Sequence, residues 1–291
     1  MKGIILAGGS WTRLYPATLG CSKQLLSVYD KPMIYYPLSI LLLLNIKEIL
    51  IISTKKDFSL FQHLFGTGED LGVRFTYLIQ EKPRGIADAF LIGEEFIGND
   101  KVCLILGDNL FYGESLKKTL REAISFDDGA VVFGYPVEDP RPFGVIEFDE
   151  NQNVISIEEK PANPKSNFIV PGLYFYDNDV VKISKTLECS KRGELEISSV
   201  NEAYLKNKKL KVKLFEEDVV WKDTGTHKEL LNASIFVRKM QQEGRFVGCL
   251  EEIAYENGFI SKEKLLELAK KMEKTEYGQH ILKIAKWRKI E

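Results

Sequence analysis

Residues 2–16 read KGIILAGGSWTRLYP, the most informative stretch of the chain. An apolar run at 4–7 leads into Gly8 and Gly9, the pattern of a strand buried on both faces that ends in a glycine turn. Glycines let backbone N–H groups approach a phosphate, and the guanidinium group of Arg13 can bind phosphate oxygens. An ordinary strand and turn with a surface arginine has the same pattern. The Walker A spacing and the GxGxxG fingerprint are both missing.

Similar apolar runs alternate with helix-period segments up to about residue 136. Strands are predicted at 3–7, 48–53, 73–79, 102–106 and 130–135, and helices at 32–45, 57–65, 85–97 and 114–125. This alternation is typical of an α/β protein with a mostly parallel sheet and helices on both faces.

The pattern changes in the second half of the chain. A hairpin is predicted from 143–148 and 154–158, followed by strands at 168–176 and 210–216 and helices at 178–187 and 196–207. Further helices are predicted at 228–242, 250–257, 261–272 and 277–287. We expect one body: a core at 1–225 with an antiparallel insertion at about 136–218, and a C-terminal helical annex at 226–291 packed on the core.

Composition excludes some classes of function. The 291 residues carry 40 Lys+Arg and 42 Asp+Glu, a net charge of -2, which argues against nucleic-acid binding by bulk charge. The four cysteines form no CxxC pair and only three histidines are present, so a Cys/His zinc site is not expected. We expect a cytoplasmic protein with free thiols, no signal peptide and no membrane span.

Many segments in order along the chain resemble the sugar-nucleotide pyrophosphorylases, and most closely their thymidylyl-transferring branch. They are GGSWTRLYP (8–16), SKQLL (22–26), YDKPMIYYPLS (29–39), GEEFI (93–97), LGDN (106–109), FYG (111–113), EEKP (158–161), PKSN (164–167), GLYFYD (172–177), RGELEI (192–197), WKDTGTH (221–227), CLEEIA (249–254) and YGQ (277–279). The resemblance implies a Rossmann-like sheet of the GT-A-like nucleotidyltransferase type.

The resemblance also implies an activity. It is the Mg²⁺-dependent reaction of dTTP with α-D-glucose 1-phosphate to dTDP-glucose and pyrophosphate, towards dTDP-rhamnose and related deoxysugars. It further implies a homotetramer with feedback inhibition by dTDP-rhamnose near 112–113 and 246–253, although simple helix packing explains those segments equally well. Two alternatives remain open: a UTP-using uridylyltransferase, and a non-catalytic homologue that binds nucleotide or sugar as a regulator.

Site residues follow from the matched positions. The predicted nucleotide-binding residues are Leu6, Gly8, Gly9, Ser10, Trp11, Thr12, Arg13, Gln24, Gln80, Gly85 and Asp108. The predicted sugar-phosphate residues are Gly144, Glu159, Lys160, Val170, Tyr174, Arg192 and Trp221. Tyr174 and Trp221 are also plausible core aromatics.

The expected catalytic residues are Arg13, Lys23, Asp108, Lys160 and Asp223. Asp108 and Asp223 follow apolar runs and have glycine neighbours, a pattern that alone usually marks a turn. The resemblance makes them Mg²⁺ ligands, a role that suits hard carboxylate oxygens.

Two positions depart from the family pattern. Asp88 stands where we expect Gln, in the segment 81–89. This segment follows Gln80, which the resemblance matches to pyrimidine recognition, so the change alters the predicted base or ribose contacts. Trp11 stands where the family motif has a third glycine. If this position needs a positive φ, tryptophan costs about 1 kcal/mol or more and nucleotide binding is altered. The alternative is an ordinary backbone with the indole ring in solvent.

The effect of Trp11 is testable by replacing it with the family residue. Trp11→Gly is expected to improve dTTP binding by about fivefold, the equivalent of roughly 1 kcal/mol of relieved strain. Steady-state kinetics with varied dTTP measure this change. An unchanged KM and kcat would show that the tryptophan does not disturb the nucleotide site.

Overall fold

A computed structural model describes residues 1–9, 12–151 and 153–287, with only the backbone of residue 287. Fourteen strands lie in this part of the chain: β1 (Lys2–Ala7), β2 (Ser27–Val28), β3 (Lys31–Pro32), β4 (Glu48–Ser53), β5 (Arg74–Ile79), β6 (Val102–Leu106), β7 (Asn109–Tyr112), β8 (Ala130–Pro136), β9 (Gly144–Phe148), β10 (Val154–Glu159), β11 (Phe168–Ile169), β12 (Leu173–Tyr176), β13 (Leu210–Leu214) and β14 (Val220–Asp223).

The same described residues form eleven α-helices. They are α1 (Tyr35–Leu43), α2 (Phe58–Phe65), α3 (Asp88–Ile92), α4 (Glu94–Ile97), α5 (Leu116–Ile124), α6 (Asp179–Thr186), α7 (Ile197–Lys206), α8 (His227–Gln242), α9 (Leu250–Glu256), α10 (Lys262–Lys271) and α11 (Glu276–Trp287). Short 3₁₀ helices lie at Thr12–Leu14, Lys23–Leu25 and Glu69–Leu71.

One large sheet organises the fold. Its strand order is β10-β9-β11-β8-β12-β6-β1-β4-β5, and β13 pairs with β8 beside this path. β1 pairs in parallel with β4 and β6, and β4 with β5, whereas β12 is antiparallel to both of its neighbours. The predicted mostly parallel α/β class is confirmed.

Both faces of the sheet are covered, which explains the continuous apolar runs of its central strands. In β1, Ile5 and Ala7 face a cluster that includes α1 and helices α9 to α11, while Ile4 and Leu6 face a second cluster that includes α3, α6 and α7. The C-terminal helices therefore share a core with the sheet.

The C-terminal helices also bring together residues that are far apart in the sequence. His280 on α11 stacks on Phe246 and makes a 2.7 Å contact through Nε2 with Glu252 on α9. Cys249 lies near this pair, and one ligand atom from each of the three residues lies within 4.8 Å of the others. Among the described residues, none of the helices has the length and apolar character needed to cross a membrane.

Several predicted elements are shorter or divided in the structure. The helix predicted at 32–45 begins only at Tyr35, because residues 31–32 form the short strand β3. The helix predicted at 85–97 is broken at Gly93, a residue with low helix propensity.

The strand predicted at 168–176 is interrupted by Val170, Pro171 and Gly172. Pro171 has no N–H group for a ladder hydrogen bond. A Cβ on Gly172 would lie 2.6 Å from Cγ of Leu106, so β6 approaches this backbone too closely for any larger residue.

This close contact predicts a stability effect. Gly172→Ala is expected to lower the free energy of unfolding by about 1–3 kcal/mol, because the added methyl group overpacks against Leu106. Urea unfolding followed by circular dichroism measures the change. The matched control is Gly20→Ala, since nothing lies within 4 Å of a Cβ at Gly20. Equal stability of both variants and the wild type would contradict the close contact between Gly172 and Leu106.

Candidate active site

The parallel strands end at one edge of the sheet, where ligands bind in open α/β folds. The glycine turn follows β1, Asp108 follows β6 and Gln80 follows β5. The N–H group of Gly107 donates to the carbonyl of Leu6 at 3.0 Å, which fixes the β6 end beside the glycine turn. The strand pairing brings these distant segments to one edge of the sheet.

A two-stranded ribbon brings the second aspartate to this edge. β14 pairs antiparallel with β7 and places Asp223 opposite Asn109, the residue after Asp108. The Thr224 hydroxyl donates to the Asp108 carbonyl at 2.7 Å, which fixes the crossing point. α8 begins just beyond, where the Thr226 hydroxyl accepts from the N–H group of Glu229 at 3.3 Å.

The two carboxylates differ in their electrostatics. Burial raises the pKa of Asp223 to about 7, and the nearby negative charge of Asp108 adds to the shift. Burial also acts on Asp108, but its ion pair with Lys23 outweighs burial and holds the pKa of Asp108 below its usual value. Asn109 donates to Asp108 at 3.0 Å and accepts from the Trp221 indole N–H at 2.5 Å, which holds the side chain of Asp108 in place.

This donor set fits a divalent cation. Asp108 and Asp223 both line the cleft, and carboxylate oxygens are hard ligands. These two residues could therefore hold a divalent cation.

A cleft of about 500 Å³ opens beside the carboxylates. Nine predicted site residues line it: Arg13, Asp108, Gly144, Glu159, Lys160, Val170, Tyr174, Trp221 and Asp223. The structure thus brings the glycine-turn arginine, the ribbon aspartate and the β9–β10 hairpin into one cavity.

The hairpin side of the cleft carries opposite charges. Burial raises the pKa of Glu159, and the Nζ atom of Lys160 lies 3.7 Å from its carboxylate. Lys160 has a φ of 46°, a left-handed conformation that non-glycine residues adopt at an energetic cost and that is concentrated at functional sites. Its side chain is 46% exposed, so its charge is available to a ligand.

Arg192 does not line the cleft but lies next to Glu159, which does. Its guanidinium group is 2.8 Å from both carboxylate oxygens of Glu196 and 3.7 Å from Glu159. Much of its charge is therefore balanced within the protein.

The other predicted nucleotide residues lie around the glycine turn. Gly8 and Gly9 follow β1, and Thr12 begins a 3₁₀ helix. Gln24 is 1% exposed, its amide oxygen accepts from the Ser22 hydroxyl, and its chain lies beneath Gly107. Ser10 and Trp11 lie outside the described residues.

Three polar residues of the cleft were not predicted from the sequence: Asn109, Ser198 and Asn201. Asn109 directly follows Asp108, so the LGDN segment contained a signal for it. Ser198 and Asn201 lie on α7 immediately after the RGELEI segment, and only the packing of α7 against β10 brings them to the cleft.

Comparison with known proteins identifies the family of the chain. The model of a family described as nucleotidyl transferase matches residues 2–240. The chain belongs to this family. The predictions of family and of enzyme class are confirmed.

Relatives with a named activity cover nearly all of the chain. The chain is 55% identical to a glucose-1-phosphate thymidylyltransferase of Neisseria meningitidis, over 98% of this chain and 100% of the relative. It is 50% identical to one from Mycolicibacterium smegmatis, over 98% and 99% of the two chains.

Solved structures show the same fold. A Bacillus anthracis protein assigned as a glucose-1-phosphate thymidylyltransferase, in complex with a sucrose, is 42% identical with a TM-score of 0.76, covering 82% of this chain and 95% of that one. A UDP-glucose pyrophosphorylase in complex with UDP-glucose has a TM-score of 0.72 at 24% identity, covering 82% and 98%. This second likeness supports the fold alone.

Proposed function

We propose that this protein transfers the thymidylyl group of dTTP to α-D-glucose 1-phosphate, forming dTDP-glucose and pyrophosphate. The carrying observation is that one cleft is lined by two carboxylates, Asp108 and Asp223, and by the cations Arg13 and Lys160. The relatives named for this reaction identify the substrates. Neither the UTP-using alternative nor the non-catalytic alternative is favoured by these relatives.

The reaction needs alignment and charge neutralisation more than proton transfer. A sugar-phosphate oxygen attacks the α-phosphorus of dTTP, and the bond from that phosphorus to the pyrophosphate oxygen breaks on the opposite side. Because a phosphate monoester is already anionic near neutral pH, no general base is required. Rate enhancement then comes from fixed orientation and from cations placed around the transferring group.

The cations of the site suit three separate phosphates. Arg13, on the glycine-turn side, is placed to hold the leaving pyrophosphate. Lys23 lies against Asp108 at the strand ends and neutralises charge at the α-phosphate. Lys160 is on the hairpin side of the cleft and holds the attacking sugar phosphate. Mg²⁺ on Asp108 and Asp223, when bound, supplies further stabilisation of the negative phosphate oxygens.

The sugar itself lies on the hairpin side in this proposal. Glu159 is 20% exposed at the cleft, and a carboxylate accepts hydrogen bonds from sugar hydroxyl groups. Gly144 faces Glu159 across the β9–β10 hairpin, and both residues line the cleft. Tyr174 and Val170 contribute buried surface to the same side.

Pyrophosphate release tests the proposal directly. Purified protein with dTTP, glucose 1-phosphate and Mg²⁺ is expected to release pyrophosphate and form dTDP-glucose, and each omission is expected to abolish release. UTP in place of dTTP is expected to react with a lower kcat/KM. Nucleotide binding without any pyrophosphate release would instead support a regulatory protein.

We also propose a cytoplasmic homotetramer subject to feedback inhibition by dTDP-rhamnose. Tyr112 and Phe246, from the two segments matched to this role, pack against Phe236 and His280. Light scattering tests the tetramer, and inhibition kinetics with dTDP-rhamnose test the feedback.

Lys160 is expected to bind the sugar phosphate. Lys160→Ala should raise the KM for glucose 1-phosphate by about tenfold or more, because a charge-assisted hydrogen bond is lost, while the KM for dTTP changes little. The matched control is Lys165→Ala. Lys165 follows β10, and its Nζ atom lies 2.7 Å from the carboxylate of Glu147 on β9. Equal effects of both substitutions would contradict the role.

Asp223 is expected to bind the metal. Asp223→Asn keeps the size of the side chain but removes a charged ligand, so the Mg²⁺ concentration for half-maximal activity should rise by roughly tenfold or more. Calorimetric titration with Mg²⁺ gives a readout independent of turnover. Asp139→Asn, at an exposed aspartate paired with Arg141, is the control. Unchanged Mg²⁺ affinity in Asp223→Asn would remove this residue from the metal site.

A further inference from the structure

We infer that Asp88 is a positioning residue that fixes the amide of Gln80 so that it presents a hydrogen-bond acceptor to the nucleobase. The inference rests on the proposed function and on the prediction from the sequence that Gln80 binds the nucleotide, a role that we take to be contact with its base. It makes Asp88 a determinant of which base is accepted.

The two side chains form a buried pair. Gln80 is 7% exposed and Asp88 is 5% exposed. The Nε2 atom of Gln80 donates to Oδ2 of Asp88 at 3.1 Å and to the carbonyl of Gly85 at 3.4 Å. A carboxylate and a carbonyl both accept hydrogen bonds, so the amide nitrogen must be the atom that faces them. Both of its hydrogens are directed at protein acceptors.

Asp88 is itself held in place. It begins α3, and the preceding turn is tied to Leu195 by two backbone hydrogen bonds, from Ala87 N–H at 3.2 Å and to the Arg84 carbonyl at 2.6 Å. Gly85 makes this contact possible with a φ of 101°, because a Cβ there would lie 2.4 Å from the carbonyl oxygen of Leu195. Arg84 lies 3.8 Å from the Asp88 carboxylate.

The carbonyl end of Gln80 points towards the glycine turn. Its Oε1 atom lies 2.6 Å from the position that a Cβ on Gly8 would occupy. The acceptor of the amide is therefore aimed at the turn that leads to Arg13, and its donor is turned away. The absence of a side chain at Gly8 leaves room for this oxygen.

This orientation matches thymine and uracil and disfavours cytosine. Thymine and uracil carry an N–H donor at N3, which pairs with the Oε1 acceptor. Cytosine has an acceptor at N3, so the same contact places two acceptors against each other. A glutamine at position 88, the residue that the resemblance leads us to expect, offers both donor and acceptor atoms and permits either orientation of Gln80. A carboxylate at position 88 only accepts hydrogen bonds, so it favours the one orientation in which the amide nitrogen of Gln80 faces it.

The test is the ratio of dissociation constants for dTTP and dCTP, measured by calorimetry. The wild type is expected to bind dTTP at least tenfold more tightly than dCTP. In Asp88→Asn, the new amide can donate to the oxygen of Gln80, so the preference for the wild-type orientation falls to the longer hydrogen bond of 3.4 Å to the Gly85 carbonyl, and the nitrogen of Gln80 can turn towards the base more often. The ratio should then fall at least threefold, with part of the change from tighter dCTP binding. A purely structural loss would weaken both nucleotides equally.

A second variant and a control complete the design. Asp88→Gln introduces the family side chain and is expected to lower the ratio in the same direction, so a misfolded Asp88→Asn does not end the test. Asp179→Asn, at the exposed start of α6, should leave the ratio unchanged. A wild-type ratio retained by either folded Asp88 variant overturns the inference.

Pyrophosphate release separates this inference from the proposed function. If the wild-type protein turns over dTTP but the Asp88 variants keep the wild-type ratio of dissociation constants for dTTP and dCTP, only the role of Asp88 is overturned. A wild type that neither binds nor turns over dTTP overturns both.

Discussion

The repulsion between Asp108 and Asp223 is the interaction on which the site depends. Two buried carboxylates side by side cost free energy unless positive charge balances them. Lys23 pairs with Asp108, and the pKa of Asp223 remains raised to about 7. Burial and the negative charge of Asp108 both raise it, so a further positive charge beside Asp223 would stabilise the pair.

Strand pairing brings Asp108 and Asp223 together. β1 and β6 end at the same edge because they are paired in parallel. β14 comes after the β9–β10 hairpin in the sequence, and its pairing with β7 brings Asp223 to that edge. The antiparallel strand β12 lies between β6 and β8, so the segment predicted as an insertion shares the central sheet. This shared sheet positions the hairpin residues Glu159 and Lys160 in the same cleft as the strand-end residue Asp108.

Much of this was predictable from local patterns. Buried strands appear as unbroken apolar runs, so β1, β4 and β6 were located closely, as was the strand-end position of Asp108. Boundaries were missed where tertiary contacts overrode local preference. The Val170–Gly172 interruption depends on the approach of Leu106, and the late start of α1 depends on the pairing of β2 with β3.

The sequence by itself determined the types of chemical group and their local setting: a glycine turn after a buried strand, an aspartate after another, and an alternation that specifies a parallel sheet. These features depend on residues that are close in the sequence, because local steric preferences and the period of hydrophobic residues are visible in consecutive positions. The tertiary structure decided how these groups meet. Asp223 lies beside Asp108 because β14 pairs with β7, and the Gln80 amide donates to Asp88 because the turn between them is held against Leu195. Local sequence patterns depend on near neighbours and do not encode such pairings.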